Sequence, residues 1–204
     1  MTTRRDHHGR RSGKTATDPD AWSVDPAAVA NQLHECGVTH IATVPDYVML
    51  SVYRVLAERD RSPAFVPCST EDDAVAVAAG LYVGGAMPIV MMQNQGLFAS
   101  MNTVRAVGLD ARLPLFMLIG QFGREYRNLG RPASESARAV VRGTERLLDA
   151  LDIDYVCCDR DDDVAQIGDV CRRAFERSTP TAAIIGHYTA WRRGVAAGPG
   201  RSPW

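Results

Sequence analysis

The sequence predicts an α/β fold: a doubly wound, mainly parallel six-stranded sheet with helices on both faces. Two observations predict it. From Ser23 onward, stretches of helical spacing alternate with short apolar or β-branched runs, the signature of βαβ units. Several of those runs, LFMLIG above all, are continuously apolar, as strands covered on both faces must be. A chain of 204 residues, 46% of them apolar, is long enough to bury one such core.

Asp25 reads as an N-cap with Pro26 at the first helical position, and the helix runs through AAVANQLHECG to a stop at Gly37. The strand THIATVP follows, then a helix over 47–59, a strand over 64–68, a helix over 70–85 and a strand over 88–93. A helix over 96–108 leads to the very apolar strand over 113–120. The polar stretch from Gln121 to about Arg142, with glycine, proline and several arginines, reads as a functional loop rather than a plain connector. A helix over 144–152, a strand over 155–158, a helix over 162–178 and a strand over 181–186 complete the pattern. The expected organisation is a basic disordered tail over 1–22, one domain over 23–190 and a flexible tail over 191–204.

Composition narrows the partners. The formal net charge of -1 provides no global field for nucleic acid or an anionic membrane, so a small molecule or a protein is the expected partner. The five cysteines, Cys36, Cys68, Cys157, Cys158 and Cys171, form an odd set without CxxC spacing, which reads as reduced thiols of a cytoplasmic protein. The leader MTTRRDHHGRRSGK lacks the apolar stretch of a secretory signal, and no later run approaches membrane-spanning length.

Ligands on a doubly wound sheet bind beyond the carboxyl ends of the strands. That rule selects Pro45-Asp46, Ser69-Thr70-Glu71, Gln93-Asn94-Gln95-Gly96 and the segment from Gly120. No GxGxxG follows the first strand and no GxxxxGK[ST] is present, which disfavours a dinucleotide or ATP site. Zinc spacing and a GxSxG elbow are absent too. Glu71 stands out at a strand end that opens an alanine-rich helix, where it either caps that helix or does chemistry. Asp46 has the same two readings, since Pro-Asp also begins turns.

The segment STEDDAVAVAAGLYVGGAMPIVMMQNQGLFASMNTV resembles the core of the pyrimidine-binding domain of thiamine-diphosphate enzymes. With the VPD after the first strand and the later RGTERLLDALDI, the likeness spans about residues 25 to 187. Within that family it resembles the alpha subunits of sulfopyruvate decarboxylase and the phosphonopyruvate decarboxylases. The resemblance implies that Glu71 is the activating glutamate, in hydrogen-bonding contact with the pyrimidine nitrogen of thiamine diphosphate, the cofactor that acts as electron sink. A carboxyl beside Ala74, Val75 and Ala78 loses solvation, which suits a group that shares a proton.

By the same resemblance, Asp46 faces the substrate and handles a proton after decarboxylation, Gln93 and Asn94 lie near the cofactor, and Gln95 borders the substrate pocket. The alternative for this loop is a strand-to-helix turn shaped by Asn94 and Gly96. A sulfonate or phosphonate calls for a cation, for which Arg124 is the first candidate ahead of Arg127 and Arg131, although loop arginines are commonly solvated. GQFGREYRNLGRPASESARAV departs most from the family pattern.

Single-chain members of the family carry a second domain in which GDG and a later asparagine hold Mg2+ and the diphosphate. This sequence has no such motif, because Gly168-Asp169-Val170 lacks the second glycine and lies in a helical stretch. The expectation is therefore a hetero-oligomer whose beta subunit supplies that domain and Mg2+. Release of carbon dioxide and an aldehyde from a sulfo- or phosphono-pyruvate is the leading activity. A thiamine-dependent carboligase subunit and a non-catalytic scaffold are the alternatives.

Overall fold

The computed structural model describes residues 19–59, 62–187 and 189. Helix and strand alternate through α1 (Pro26–Glu35), β1 (His40–Thr43), α2 (Leu50–Ala57), β2 (Ala64–Pro67), α3 (Glu71–Val83) and β3 (Pro88–Gln93). They continue through α4 (Asn94–Thr103), β4 (Leu115–Gly120), α5 (Ala139–Ala150), β5 (Asp154–Cys158), α6 (Ala165–Arg177) and β6 (Pro180–Ile185). All strand pairs are parallel, in the order β2-β1-β3-β4-β6-β5.

Alternation along the strands divides the interior into two layers. Ile41, Ile89, Met91, Phe116, Leu118 and Ile185 meet α1, α2 and α6 on one face. On the other face Ala42, Val90, Met92, Met117, Ile119 and Ile184 meet α3, α4 and Leu148 of α5. Every residue of β4 and β6 is buried, which explains their unbroken apolar reading.

Local chemistry sets most boundaries. Asp25 caps α1 as expected, accepting 3.0 Å from the Ala27 amide, with Pro26 at the position whose N–H would be unsatisfied in any case. The helix α2 starts at Leu50 rather than Tyr47, because residues 46–49 close a turn through the Asp46 side chain. The helix α5 starts at Ala139 instead of Thr144, and two 3-10 turns, Tyr126–Asn128 and Ala133–Glu135, break the preceding loop. The helix α4 begins directly on β3 and passes after Thr103 into a π-helical stretch, Val104–Asp110, where one continuous α-helix was expected. There Gly108 lies so near Pro180 that a Cβ would sit 3.0 Å from the ring, so the bare backbone permits the contact.

Trp22 corrects the expected tail boundary. It is only 6% exposed, lies under the Arg160 guanidinium at 4.4 Å and packs against Gly130, so the ordered structure begins ahead of Ser23. The remaining tail residues, 1–18 and 190–204, lie outside the described residues. All five cysteines are free thiols, and no helix of the described residues is long and apolar enough to cross a membrane.

The strand order positions the site. The chain leaves β1 toward β2 through α2 on one face, and leaves β3 toward β4 through α4 on the opposite face. The loops after β1 and β3 therefore diverge, which opens a crevice at their carboxyl ends.

Candidate active site at the carboxyl ends of β1 and β3

Glu71 is the first residue of α3 and is half-buried. Capping, the plain reading of its position, is carried out by a neighbour: Thr70 is the N-cap, and its hydroxyl accepts from the Asp73 amide at 3.4 Å. Asp72 also interacts with Thr70, which lowers the Asp72 pKa. The Glu71 carboxyl accepts no hydrogen bond among the described residues and lies against Gly96 in the first turn of α4. A Cβ at Gly96 would overlap the Glu71 side chain, so glycine there makes room for the carboxyl.

Asp46 follows β1 and is fully buried. The turn reading holds for one oxygen of this residue. Oδ1 accepts from the Val48 amide at 2.8 Å and closes the turn into α2. Oδ2 has no hydrogen-bond partner among the described residues and lies against Gly120, the last residue of β4. Burial pushes the Asp46 pKa up to about 7, opposed by the amides of Val48 and Gly120. Beneath it, buried Tyr53 pairs with Thr43 Oγ1 at 2.6 Å, and that hydroxyl contacts the Met91 carbonyl at 2.8 Å. Burial raises the Tyr53 pKa further above its ordinary range.

The amides after β3 divide into two kinds. Asn94 is buried, donates 3.2 Å to the Phe122 carbonyl and accepts 3.1 Å from the Gln95 amide, which ties the start of α4 to the loop after β4. Gln93 is half-buried and Gln95 exposed, and neither side-chain amide has a partner among the described residues. Asp46, Glu71, Gln93 and Gln95 thus all stand at or just after the carboxyl ends of β1, β2 and β3.

Arg124 stands apart from them. Its buried guanidinium donates to Asn128 Oδ1 at 2.9 Å, Asp159 Oδ1 at 2.8 Å, the Gly186 carbonyl at 3.2 Å and the Arg131 carbonyl at 2.8 Å. These contacts make it an internal strut, where a fork open to substrate was expected. Glu125 adds a second tie, accepting from Ser136 Oγ at 2.7 Å and the Ala137 amide at 2.6 Å, and these bonds pull its pKa down to about 2. The loop over 121–138 is consequently cross-linked by its own side chains, and it presents Tyr126, Arg127 and Arg131 outward.

His187 was not singled out from the sequence. It lies just past the end of β6, buried against the Tyr126 ring at 5.1 Å, and burial and the nearby Arg124 lower its pKa while Asp159 opposes them. Extending the strand-end rule to the last strand would have found it. Among the described residues no group of His, Cys, Asp or Glu has the arrangement of a metal site.

Comparison with known proteins gives this geometry a family. A model for the N-terminal TPP binding domain of thiamine pyrophosphate enzymes matches residues 26–157. The sulfopyruvate decarboxylase subunit alpha of Methanocaldococcus jannaschii is 25% identical over 126 residues, covering 62% of this chain and 71% of the relative. The subunit alpha of Methanococcus maripaludis is 24% identical over 160 residues, 78% of this chain and 92% of the relative. A phosphonopyruvate decarboxylase of Streptomyces hygroscopicus is 30% identical over 143 residues, which cover 69% of this chain but 34% of that longer protein. The chain belongs to the thiamine pyrophosphate enzymes, as a member of their N-terminal TPP-binding domain family.

Proposed function

We propose that the chain is the pyrimidine-binding alpha subunit of a two-chain decarboxylase. Its substrate is a 2-oxo acid of the sulfopyruvate or phosphonopyruvate type, and its products are carbon dioxide and an aldehyde. The observation that carries this reading is the pair of carboxyls on the carboxyl-end side of the sheet, Glu71 against Gly96 and Asp46 against Gly120, neither acid used up by helix capping. The names of the relatives agree with it, and "subunit alpha" in two of them supports a second chain.

The residues fit thiamine diphosphate. Glu71 has a carboxyl without a partner among the described residues at a helix start, placed to hydrogen-bond a ring nitrogen. Gln93, the last residue of β3, offers an amide without a partner among the described residues. Bound thiamine diphosphate supplies the electron sink for loss of carbon dioxide. A beta subunit carries the GDG and asparagine that hold Mg2+ and the diphosphate, and closes the open crevice.

Asp46 Oδ2, buried and without a partner among the described residues, holds a proton near neutrality and delivers it on the substrate side. Arg124 contributes to substrate binding indirectly by fixing the loop over 121–138, from which Arg127 and Arg131 meet the substrate's terminal oxyanion. Gln95 borders the same space. Cytoplasmic location agrees with five free thiols.

The test is co-purification of the chain with its partner, followed by assay of carbon dioxide release from 3-sulfopyruvate and 3-phosphonopyruvate. Release of carbon dioxide with free aldehyde is expected. Products formed only when an aldehyde is added would instead place the chain among carboligases, and a complex inert to 2-oxo acids would make it a scaffold.

A further inference from the structure

The turn that carries Asp46 is held from the far end of the chain. Thr189 donates to the Val48 carbonyl twice, from its amide at 3.1 Å and from its hydroxyl at 2.9 Å. Its hydroxyl also meets Ser51 Oγ at 2.5 Å, and a parallel bridge to Val24 fixes the segment on its other side. Thr189, Ser51 and Val48 are all buried. Val48 is therefore gripped at both ends of the residue, its carbonyl by Thr189 and its amide by Asp46 Oδ1. Because Oδ1 is committed to that amide, the orientation of Val48 decides which way Oδ2 points. The Val48 Cβ packs over Gly120 beside Oδ2, so the two share one small space.

We infer that Thr189 is a positioning residue, clamping the Val48 carbonyl so that Asp46 presents one oxygen to its own turn and keeps the other free for proton transfer. The inference rests on the part proposed above for Asp46. A purely packing role for Thr189 would need neither a buried hydroxyl nor two bonds to one carbonyl. The clamp joins positions 141 residues apart, so it forms only once β6 is in place. It thereby ties the proton-handling geometry to completion of the fold.

The experiment uses the full chain and three variants, Thr189→Val, Thr189→Ala and Thr189→Ser, with hydrogen exchange at the Val48 amide and a carbon-13 titration of the Asp46 carboxyl. Tyr53 is the titratable neighbour to be followed in the same spectra. Loss of one hydrogen bond should speed Val48 exchange about fivefold in the valine and alanine variants, which is about 1 kcal/mol. The Asp46 midpoint should fall toward the ordinary carboxylate range as water reaches Oδ2, and serine should restore both readouts. In the complex, the valine variant should lower kcat with KM retained. Unchanged Val48 exchange and an unchanged Asp46 midpoint in either folded variant that lacks the hydroxyl would overturn the clamp. Asp46→Asn turnover separately judges the reading on which it rests, because exchange and titration decide the clamp without any catalysis.

Discussion

Asp46 Oδ2 lies so close to the Cα of Gly120 that a methyl group there would occupy the same space. The adjacent atom is Val48 Cβ, part of a well-packed turn, so the carboxyl has little room to retreat. Gly120→Ala should therefore destabilise the chain by about 1–3 kcal/mol, the usual cost of overpacking, and abolish the elevated Asp46 titration. Urea unfolding and carboxyl NMR check both. A variant as stable as the parent with an unmoved Asp46 midpoint would show that the contact is loose.

Burial of Asp46 carries a pH signature. Its folded pKa, about 7, lies above the ordinary unfolded value of about 3.9, so the native state binds the extra proton between them. The contribution is fully present below pH ~4 and is lost as pH rises through about 7, a change of a few kcal/mol at most. Asp46→Asn should flatten that decline and make the chain more stable than the parent at pH 8. Denaturant midpoints at pH 5 and pH 8 measure it, and parallel curves for the two proteins would contradict the assignment.

The contact between Glu71 and Gly96 differs in kind. What a Cβ at residue 96 meets is the far part of a flexible side chain. Gly96→Ala should leave stability within about 1 kcal/mol while pushing the Glu71 carboxyl aside. The expected result is a folded subunit that assembles with its partner and turns over far more slowly. Normal turnover would mean that the Glu71 carboxyl does not need its present place.

Arg124 should behave as a strut. Breaking its buried pair with Asp159 removes several bonds at once, so Arg124→Ala should cost about 3–5 kcal/mol. Arg124→Lys should recover little, because an ammonium cannot reproduce the planar fork. Limited proteolysis should then cut within residues 121–138 faster than in the parent. A lysine variant that protects the loop fully would assign the order to other ties, Glu125 first.

The architecture was legible because both layers write themselves into the strands as apolar runs, and because Asp25 with Pro26 announces a helix start. The strand-end rule likewise points to Asp46, Glu71 and Gln93, since each stands at or just after the carboxyl end of a strand. Less was visible where long-range contacts decide. Nothing local distinguishes Arg124 from the solvated Arg127, since its partners include Asp159 and Gly186 on β5 and β6 connections. The burial of Trp22 depends on Gly130 and Arg160, and the start of α5 on a loop cross-linked by Glu125. The division of labour between the two oxygens of Asp46 needs Gly120, 74 residues beyond it, and no spacing rule connects them.

The proposed role of Glu71 as the proton-sharing acid of a thiamine-dependent site is read out by single-turnover decarboxylation in the reconstituted complex carrying Glu71→Gln. With cofactor and partner bound as in the parent, the rate should fall about 10²- to 10⁴-fold, the usual worth of a positioned acid or base. A rate near that of the parent would remove Glu71 from the chemistry.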